Sequence, residues 1–377
     1  MKLFLSCEGL AEETAQSTQI LELAEQLEKR GHAATIYAPR TRKYRGEKKT
    51  KIIYTPSIDV FLIRSLTYQL TLLIAMLRQK TKPDIIYTRM GVFSVAPLIY
   101  SKLIKKPHIT HFPDNIAEDM EMEKTNKLIV SGYKLIEKIN CLHSKAITTP
   151  TQGIKDHLVK TYKLPENKVT VIPNAANTEH FKPMDQEACR KELGLGNNPI
   201  IGFVGGLAPW QGLEYLIQAA PQILEKIPDA EFIIVGDGPQ KEELLKQTQN
   251  QKLENKIKFT GKQPYNKIPT YINAFDICVV LKKPMTSGYS PLKLYEYLAC
   301  GKPVIASDLP GFELLKEERI GLVICPGDVD AIASSVVSLL GDEARRMDYG
   351  QRGRRYAEEK NSWGANADRL INLSKSL

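Results

Sequence analysis

Short runs of apolar, β-branched residues alternate along the chain with longer stretches in which apolar positions recur every three or four residues. In the first half the short runs predict strands at Lys2–Ser6, Ala34–Tyr37, Lys51–Tyr54, Ile85–Thr88, Ile109–His111, Ala146–Thr149 and Val169–Ile172. Between them the periodic stretches Ala15–Arg30 and Ile154–Thr161 predict helices. The pattern then starts afresh, with strands at Pro199–Val204, Glu231–Val235, Lys256–Phe259, Ile277–Leu281, Pro303–Ala306 and Gly321–Ile324. Helices are expected at Leu213–Leu224, Lys241–Gln251, Lys267–Ala274 and Leu292–Cys300. Strands separated by helices mean βαβ units, so the fold class is α/β with mostly parallel sheets. Two such series, with a join between Phe181 and Gly194, predict two doubly wound domains at 1–185 and 186–360. The charged helical tail 361–377 is able to cross back to the first of them. Ligands of open α/β sheets bind beyond the carboxyl ends of the strands, which puts the expected reactive site in an interdomain cleft.

Composition narrows the class. Of 377 residues, 42% are hydrophobic and 25% charged, which excludes wholesale disorder. The six cysteines are scattered without a C-x-x-C pair, so a disulfide framework or a structural zinc site is not expected, and a reducing cytoplasm is the natural compartment. The start, MKLFLSCEGLAEE, is too briefly apolar for a signal peptide. The longest apolar candidate, Ser65 to Leu77, has thirteen uncharged residues against the roughly 20 of a spanning helix.

Charge is lopsided. Residues 1–185 carry 28 Lys/Arg against 19 Asp/Glu, and the rest of the chain balances, so the whole net charge of +9 lies in the first half. Arg40, Arg42, Lys43, Arg45, Lys48 and Lys49 concentrate it just before the apolar stretch Val60–Leu77. One reading is a solvated loop followed by a core helix. The other is a docking surface for anionic lipid, at about 1 kcal/mol per basic residue near the membrane. No helix-turn-helix, zinc-finger or RNA-recognition signature accompanies the charge, so nucleic acid is not an expected partner.

Four places could carry chemistry. The glycine-rich turn Gly205-Gly206-Leu207-Ala208-Pro209-Trp210-Gln211-Gly212 lies between a strand and a helix, where backbone N–H groups can approach an anion. It is neither the G-x-G-x-x-G fingerprint nor a Walker loop. In the segment Gly288-Tyr289-Ser290-Pro291-Leu292-Lys293 a small-residue loop enters a helix, and Lys293 and Glu296 share a face. That pair is either a cation for phosphate with a carboxylate for a vicinal diol, or an ordinary surface ion pair. His111, followed by Asp114, ends a β-rich run and either orients a sugar hydroxyl or caps a loop. The fourth, Val171 to Pro183, is a strand and an Asn- and Pro-rich turn in which nothing is evidently catalytic.

With these segments in view, the chain resembles the family 4 retaining glycosyltransferases, which have the GT-B fold of two facing Rossmann-like domains. The matching stretches are V-I-P-N-A-A-N-T-E-H-F-K-P (171–183), G-F-V-G-G-L-A-P-W-Q-G-L (202–213), F-I-I-V-G-D-G-P (232–239), I-K-F-T-G-K (257–262), I-N-A-F-D-I-C-V-V (272–280) and Y-E-Y-L-A-C-G-K-P-V-I-A-S (295–307). The first half matches loosely, through the Glu8-Gly9 loop and G-H-A-A-T-I-Y (31–37). The resemblance implies a nucleoside diphosphate sugar on the second domain and a glycan or lipid-linked acceptor on the first. It implies Glu296 at the ribose and Ser290, Pro291, Leu292 and Lys293 at the diphosphate, together with Gly205, Gly206 and Gln211. Thr260, Gly261 and Lys262 line the base pocket in this reading. Gly9, His111, Asp114, Gly288 and Tyr289 are placed near the transferred sugar or the acceptor.

There are departures. The family's Arg and Lys before the first helix of the second domain are here Gly206 and Gln211, and the first glutamate of its Glu–x7–Glu pair is Gly288. A subset with W-x-G and S-P-x-K-x-x-E patterns looks similar. The implied reaction is glycosyl transfer with retention, with UDP-sugar favoured over GDP-sugar and no cofactor or metal required. His111, Lys293 and Glu296 are the implied catalytic residues. Given such an enzyme, docking on the cytoplasmic face of a membrane becomes the favoured reading of the basic first half. The alternatives are a non-catalytic nucleotide-sugar-binding subunit and a sugar-nucleotide epimerase.

Overall fold

All strands of the computed structural model, which describes residues 1–10, 15–40, 50–122, 125–284 and 288–377, run parallel to their neighbours. The chain divides into two units, Met1–Asn174 with Trp363–Leu377, and Ala175–Ser362. In the first unit lie β1 (Lys2–Ser6), β2 (Ala33–Pro39), β3 (Lys51–Thr55), β4 (Ile85–Arg89), β5 (His108–His111), β6 (Ala146–Thr149) and β7 (Val169–Val171). Their order is β3-β2-β1-β4-β5-β6-β7. The second unit holds β8 (Ile200–Val204), β9 (Glu231–Val235), β10 (Ile257–Gly261), β11 (Ile277–Val280), β12 (Val304–Ser307) and β13 (Gly321–Ile324), ordered β10-β9-β8-β11-β12-β13. Both orders reverse direction once, between β1 and β4 and between β8 and β11. These are the topological switch points at which open sheets take ligands.

The strands read as apolar runs because helices cover both faces. In β1, Leu3 and Leu5 pack with Ile20, Ala24 and Leu27 of helix Ala15–Lys29. Phe4 faces the other way, toward Tyr68, Leu72 and Met76 of helix Phe61–Leu77. In β8, Ile201 and Phe203 pack with helix Leu213–Lys226, while Ile200 and Val204 join Phe275, Leu294 and Leu298. Thr151 caps helix Gln152–Tyr162 by accepting from Ile154 N at 3.1 Å.

The division falls at Asn174–Ala175, upstream of the expected 185/186. The cause is the anchoring of Ala175–Pro183 in the second unit. Ala176 N donates to Asn361 O at 3.1 Å, Phe181 is fully buried, and the Arg354 guanidinium donates to the carbonyls of Thr178, Phe181 and Ala299 at 2.7–3.1 Å. The tail behaves as expected from Trp363 onward, two residues later than 361. Helix Trp363–Lys375 packs on helix Ala15–Lys29, and Asp368 pairs with Arg30 at 2.6 Å. Among the described residues no helix is long and apolar enough to cross a membrane.

Gly202 shows how tightly the second unit is packed. A Cβ there would sit 1.9 Å from the ring of Phe275. Gly202→Ala is expected to cost about 1–3 kcal/mol, more if the ring cannot shift. Scanning calorimetry checks this, and an unchanged melting temperature contradicts the packing described.

Candidate functional site

The carboxyl ends of β8, β9, β10 and β11 gather most of the expected site residues. After β8 the chain turns through Gly205, whose φ of 145° favours glycine, and Gly205 N donates to Val235 O at 2.9 Å. That amide is therefore committed to the fold and not offered to a ligand, contrary to the sequence-based reading. The need for glycine is spatial. A Cβ would lie 2.5 Å from Lys293 Nζ. Among the described residues Gly206 N–H donates to no backbone carbonyl, so it is the loop amide still able to reach an anion. The β9 turn packs on the same loop, with Gly236 N donating to Gly261 O at 2.9 Å. Thr260 and Gly261 thereby come beside the β9 turn, and Gln263 closes the strand end by donating to Thr260 O at 2.9 Å. Lys262 is exposed.

Lys293 lies in the first turn of helix Leu292–Ala299, which follows Pro291. It is buried, at 9% exposure. Its ammonium rests 3.9 Å from the centroid of the Phe203 ring and donates to Gln211 Oε1 at 3.0 Å. The surface-ion-pair reading of Lys293 and Glu296 is thus excluded. Gln211, read from sequence as a lost cation, is the acceptor that aims the one present. Burial holds the Lys293 ammonium well below the usual lysine range, the nearby charge of Lys282 lowers it further, and Glu296 one turn on opposes both.

Lys282 was missed by sequence reasoning, which ended its strand at Leu281. It lies two residues past the end of β11, is 4% exposed, and holds its Nζ 4.7 Å from the centroid of the Tyr289 ring. Two lysines immediately after an apolar strand were the available signal. Tyr289 is fixed by its hydroxyl, which donates to Lys283 O at 2.9 Å, and by its N–H on Pro310 O at 2.8 Å. Gly288 before it has φ 72°, and a Cβ there would lie 2.6 Å from Pro310 O, so this position has no room for the family's glutamate. Ser290 Oγ and Tyr295 Oη are 3.1 Å apart.

Gly9, His111 and Asp114 belong to the first unit. Gly9 O accepts from Ser17 Oγ at 3.2 Å in the turn after β1. Beside it Glu8, named from sequence only as part of the Glu8-Gly9 loop, takes a hydrogen bond from Ser65 Oγ, and among the described residues its Oε2 is buried with no hydrogen-bond partner. Burial pushes that carboxyl up. His111 ends β5, stacks on Tyr87 and is 3.1 Å from Thr148 Oγ1 through Nδ1. Burial, with the charge of Arg89, lowers it to about 3, so the imidazole is neutral at physiological pH. Asp114 is exposed on the following loop. Of the basic cluster, Arg40 is exposed at the end of β2, while Arg42, Lys43, Arg45, Lys48 and Lys49 lie outside the described residues.

Residues 185–356 match the family profile described as "Glycosyl transferases group 1", and residues 16–180 the one described as "Glycosyltransferase Family 4". A "GDP-mannose-dependent monoacylated alpha-(1-6)-phosphatidylinositol monomannoside mannosyltransferase" of Corynebacterium glutamicum is 32% identical over 213 residues, covering 54% of this chain and 55% of that protein. A "UDP-Gal:alpha-D-GlcNAc-diphosphoundecaprenol alpha-1,3-galactosyltransferase" of Escherichia coli is 28% identical over 279 residues, covering 71% and 69%. The chain thus spans little more than half the length of the first of these relatives. HepE of Anabaena, solved with UDP and glucose, superposes with a TM-score of 0.81 at 19% identity, covering both chains fully. A sucrose-phosphate synthase of Thermosynechococcus elongatus gives 0.82 at 18%, covering 100% of this chain and 98% of that one. At these identities the likeness is one of fold.

Lys293 gives the site a pH signature. Burial and Lys282 depress its pKa, so a diphosphate binding beside it would raise that pKa again and take up a proton. Affinity for a nucleoside diphosphate is expected to fall as pH rises between the free and the bound pKa. Calorimetry in two buffers of different ionisation enthalpy reads the proton directly. In Lys293→Met the uptake disappears and affinity drops about 10-fold or more.

Proposed function

The chain belongs to the family 4 glycosyltransferases, and on that premise we propose that it is a retaining hexosyltransferase. In this reading it moves a sugar from a UDP-sugar to a glycan or lipid-linked acceptor in cell-surface polysaccharide or glycolipid synthesis. The observation that carries the proposal is the desolvated Lys293 ammonium at the β8–β11 switch point, with Lys282 beside it. A cation kept out of water interacts strongly with charge that develops on a leaving group. UDP is preferred on the strength of the Escherichia coli relative, named for UDP-galactose and spanned over 69% of its length.

The chemistry follows from leaving-group electrostatics. As the bond from the anomeric carbon to the diphosphate oxygen breaks, its electron pair stays on the phosphate. Lys293, Lys282 and the Gly206 N–H meet that charge, with no metal called for. The acceptor hydroxyl adds to the same face, and its proton passes to the departing phosphate oxygen, so configuration is retained without a nucleophile from the protein. Glu296 holds the ribose hydroxyls. Neutral His111 hydrogen-bonds a hydroxyl of the transferred sugar or the acceptor.

Peripheral attachment to the cytoplasmic face of a membrane is part of the proposal. Its support is a helix that is turned inside out. Phe61–Leu77 buries Ser65, Tyr68 and Gln69 along with Leu72 and Met76, and exposes Ile63, Leu66, Leu70, Ile74 and Leu77. Ile99 and Leu103 of the adjoining helix Ala96–Ile104 extend the apolar face, and exposed Arg78, Lys80, Lys82 and Lys102 lie on the same stretches of chain. Basic and apolar groups together suit an anionic lipid surface.

Two measurements test these readings. Calorimetric titration should show UDP binding more tightly than GDP, with about 10- to 100-fold loss in Glu296→Ala as charge-assisted hydrogen bonds to the ribose go. Failure of both nucleotides to bind the wild type defeats the transferase reading. Co-sedimentation with vesicles containing phosphatidylglycerol should be strong at low salt, reduced at high salt, and lost in Leu66→Gln/Leu70→Gln. Absence of binding at low salt ends the membrane reading.

A further inference from the structure

The first unit buries a guanidinium that nothing in the reading above uses. Arg89, the last residue of β4, is 8% exposed. Its Nε donates to Gln19 Oε1 at 3.2 Å, and Gln19 Nε2 donates in turn to Asn174 Oδ1 at 2.9 Å. Among the described residues Arg89 has no other hydrogen bond and no carboxylate partner. Its position opposite His111 in the β4–β5 register brings both side chains to the carboxyl edge of the sheet, where they line one cavity with Gln19, Asn174, Trp363 and Asn366. All of these residues lie in the first unit.

A buried charge with only a neutral amide for a partner is a strongly disfavoured arrangement. His111 supplies no counter-charge: its imidazole is neutral, and its Nδ1 lies 3.1 Å from Thr148 Oγ1. Gln19 occupies the Nε edge of the guanidinium, which leaves the paired Nη groups as an end-on fork. A fork of that geometry matches two oxygens of one oxyanion. The surrounding amides bring no charge, and they are engaged with their own neighbours: Gln19 with Arg89 and Asn174, Asn366 with Pro173 O and Arg369.

We propose that Arg89 is the centre of an anion subsite in the first unit, which takes a phosphate or carboxylate group carried by the acceptor. The proposal rests on the transferase reading only in assigning the anion to the acceptor. The subsite itself stands on Arg89 and its cavity. It makes charge on the acceptor a specificity requirement, read by a residue separate from those that hold the nucleotide.

The test uses the two tryptophans. Trp363 lines the cavity and Trp210 lies in the second unit, so Trp210→Phe leaves Trp363 as the reporter. With the protein saturated in UDP, inorganic phosphate should change Trp363 fluorescence saturably and raise the melting temperature. Acetate as a second probe separates a carboxylate preference from a phosphate one. Arg89→Met should weaken the response about 10-fold or more while melting no lower than the parent, since it removes an uncompensated charge. Arg89→Lys should keep part of it. UDP affinity should be unchanged in both, and loss of UDP binding in Glu296→Ala with the phosphate response intact separates the two sites. A fluorescence response that is absent, or equal in parent and Arg89→Met, overturns the proposal. So does a variant that only loses stability, with no change in its response to phosphate, because Arg89 is then a structural residue.

Discussion

An ammonium group held out of water organises the second unit. Lys293 reaches the switch point of the sheet only because Gly205 has no side chain to meet it, Phe203 offers a ring face to it, and Gln211 turns an amide oxygen toward it. Each of those positions is fixed by something else. Gly205 is hydrogen-bonded to Val235, and Phe203 is locked in the core. Gln211 sits in the short turn Pro209–Gln211, which closes on Gly212, where a Cβ would meet Leu281 O at 2.8 Å. Moving any of them returns the lysine to solvent, where a single charge counts for little.

The two sheets apply one rule at their switch points. In the second unit the strand across the reversal, β11, is followed after Leu281 by Lys282. In the first unit the corresponding strand, β4, ends on Arg89. Parallel strands carry their side chains to the carboxyl edge, where no further strand hydrogen bonds are formed and helices begin. A cation placed there is surrounded by N–H groups and rings more readily than by carboxylates. On the proposed reading, both edges would take oxygen-rich anions. The difference between them is instructive. Lysines present point charges suited to a flexible diphosphate chain, while a guanidinium on a fixed amide is a shaped receptor.

Much of this was legible in the sequence. Strands such as Lys2–Ser6 and Glu231–Val235 stand out because both their faces are covered, so the runs are apolar throughout. The βα turns are marked by Gly205 and Gly212. What escaped was long-range. That Gln211 pairs with a residue 82 positions away depends on helix Leu292–Ala299 returning beneath β8, and no local pattern contains this. Lys282 and Arg89 escaped for a related reason. A charge just past an apolar run looks like the start of a solvated loop unless the sheet order is known. The turn before the join, with His180 and Phe181, is seated in the second unit by Tyr265 and Arg354, and no local pattern shows that attachment.

The inverted helix Phe61–Leu77 follows from the same edge chemistry. Glu8 needs a donor at the carboxyl end of β1, and Ser65 supplies it. Tyr68 donates to Tyr37 O at 2.8 Å, and Gln69 Oε1 accepts from Val95 N and Ala96 N at the start of the next helix. These polar demands occupy the inward face of the helix at 65, 68 and 69. Its remaining apolar residues then lie outward, at 63, 66, 70, 74 and 77. A face of leucine and isoleucine left in water is a cost to a soluble chain. It becomes an advantage where the medium beyond the surface is itself apolar. The polar satisfaction of one strand end and the apolar exposure of one helix are therefore two sides of a single arrangement.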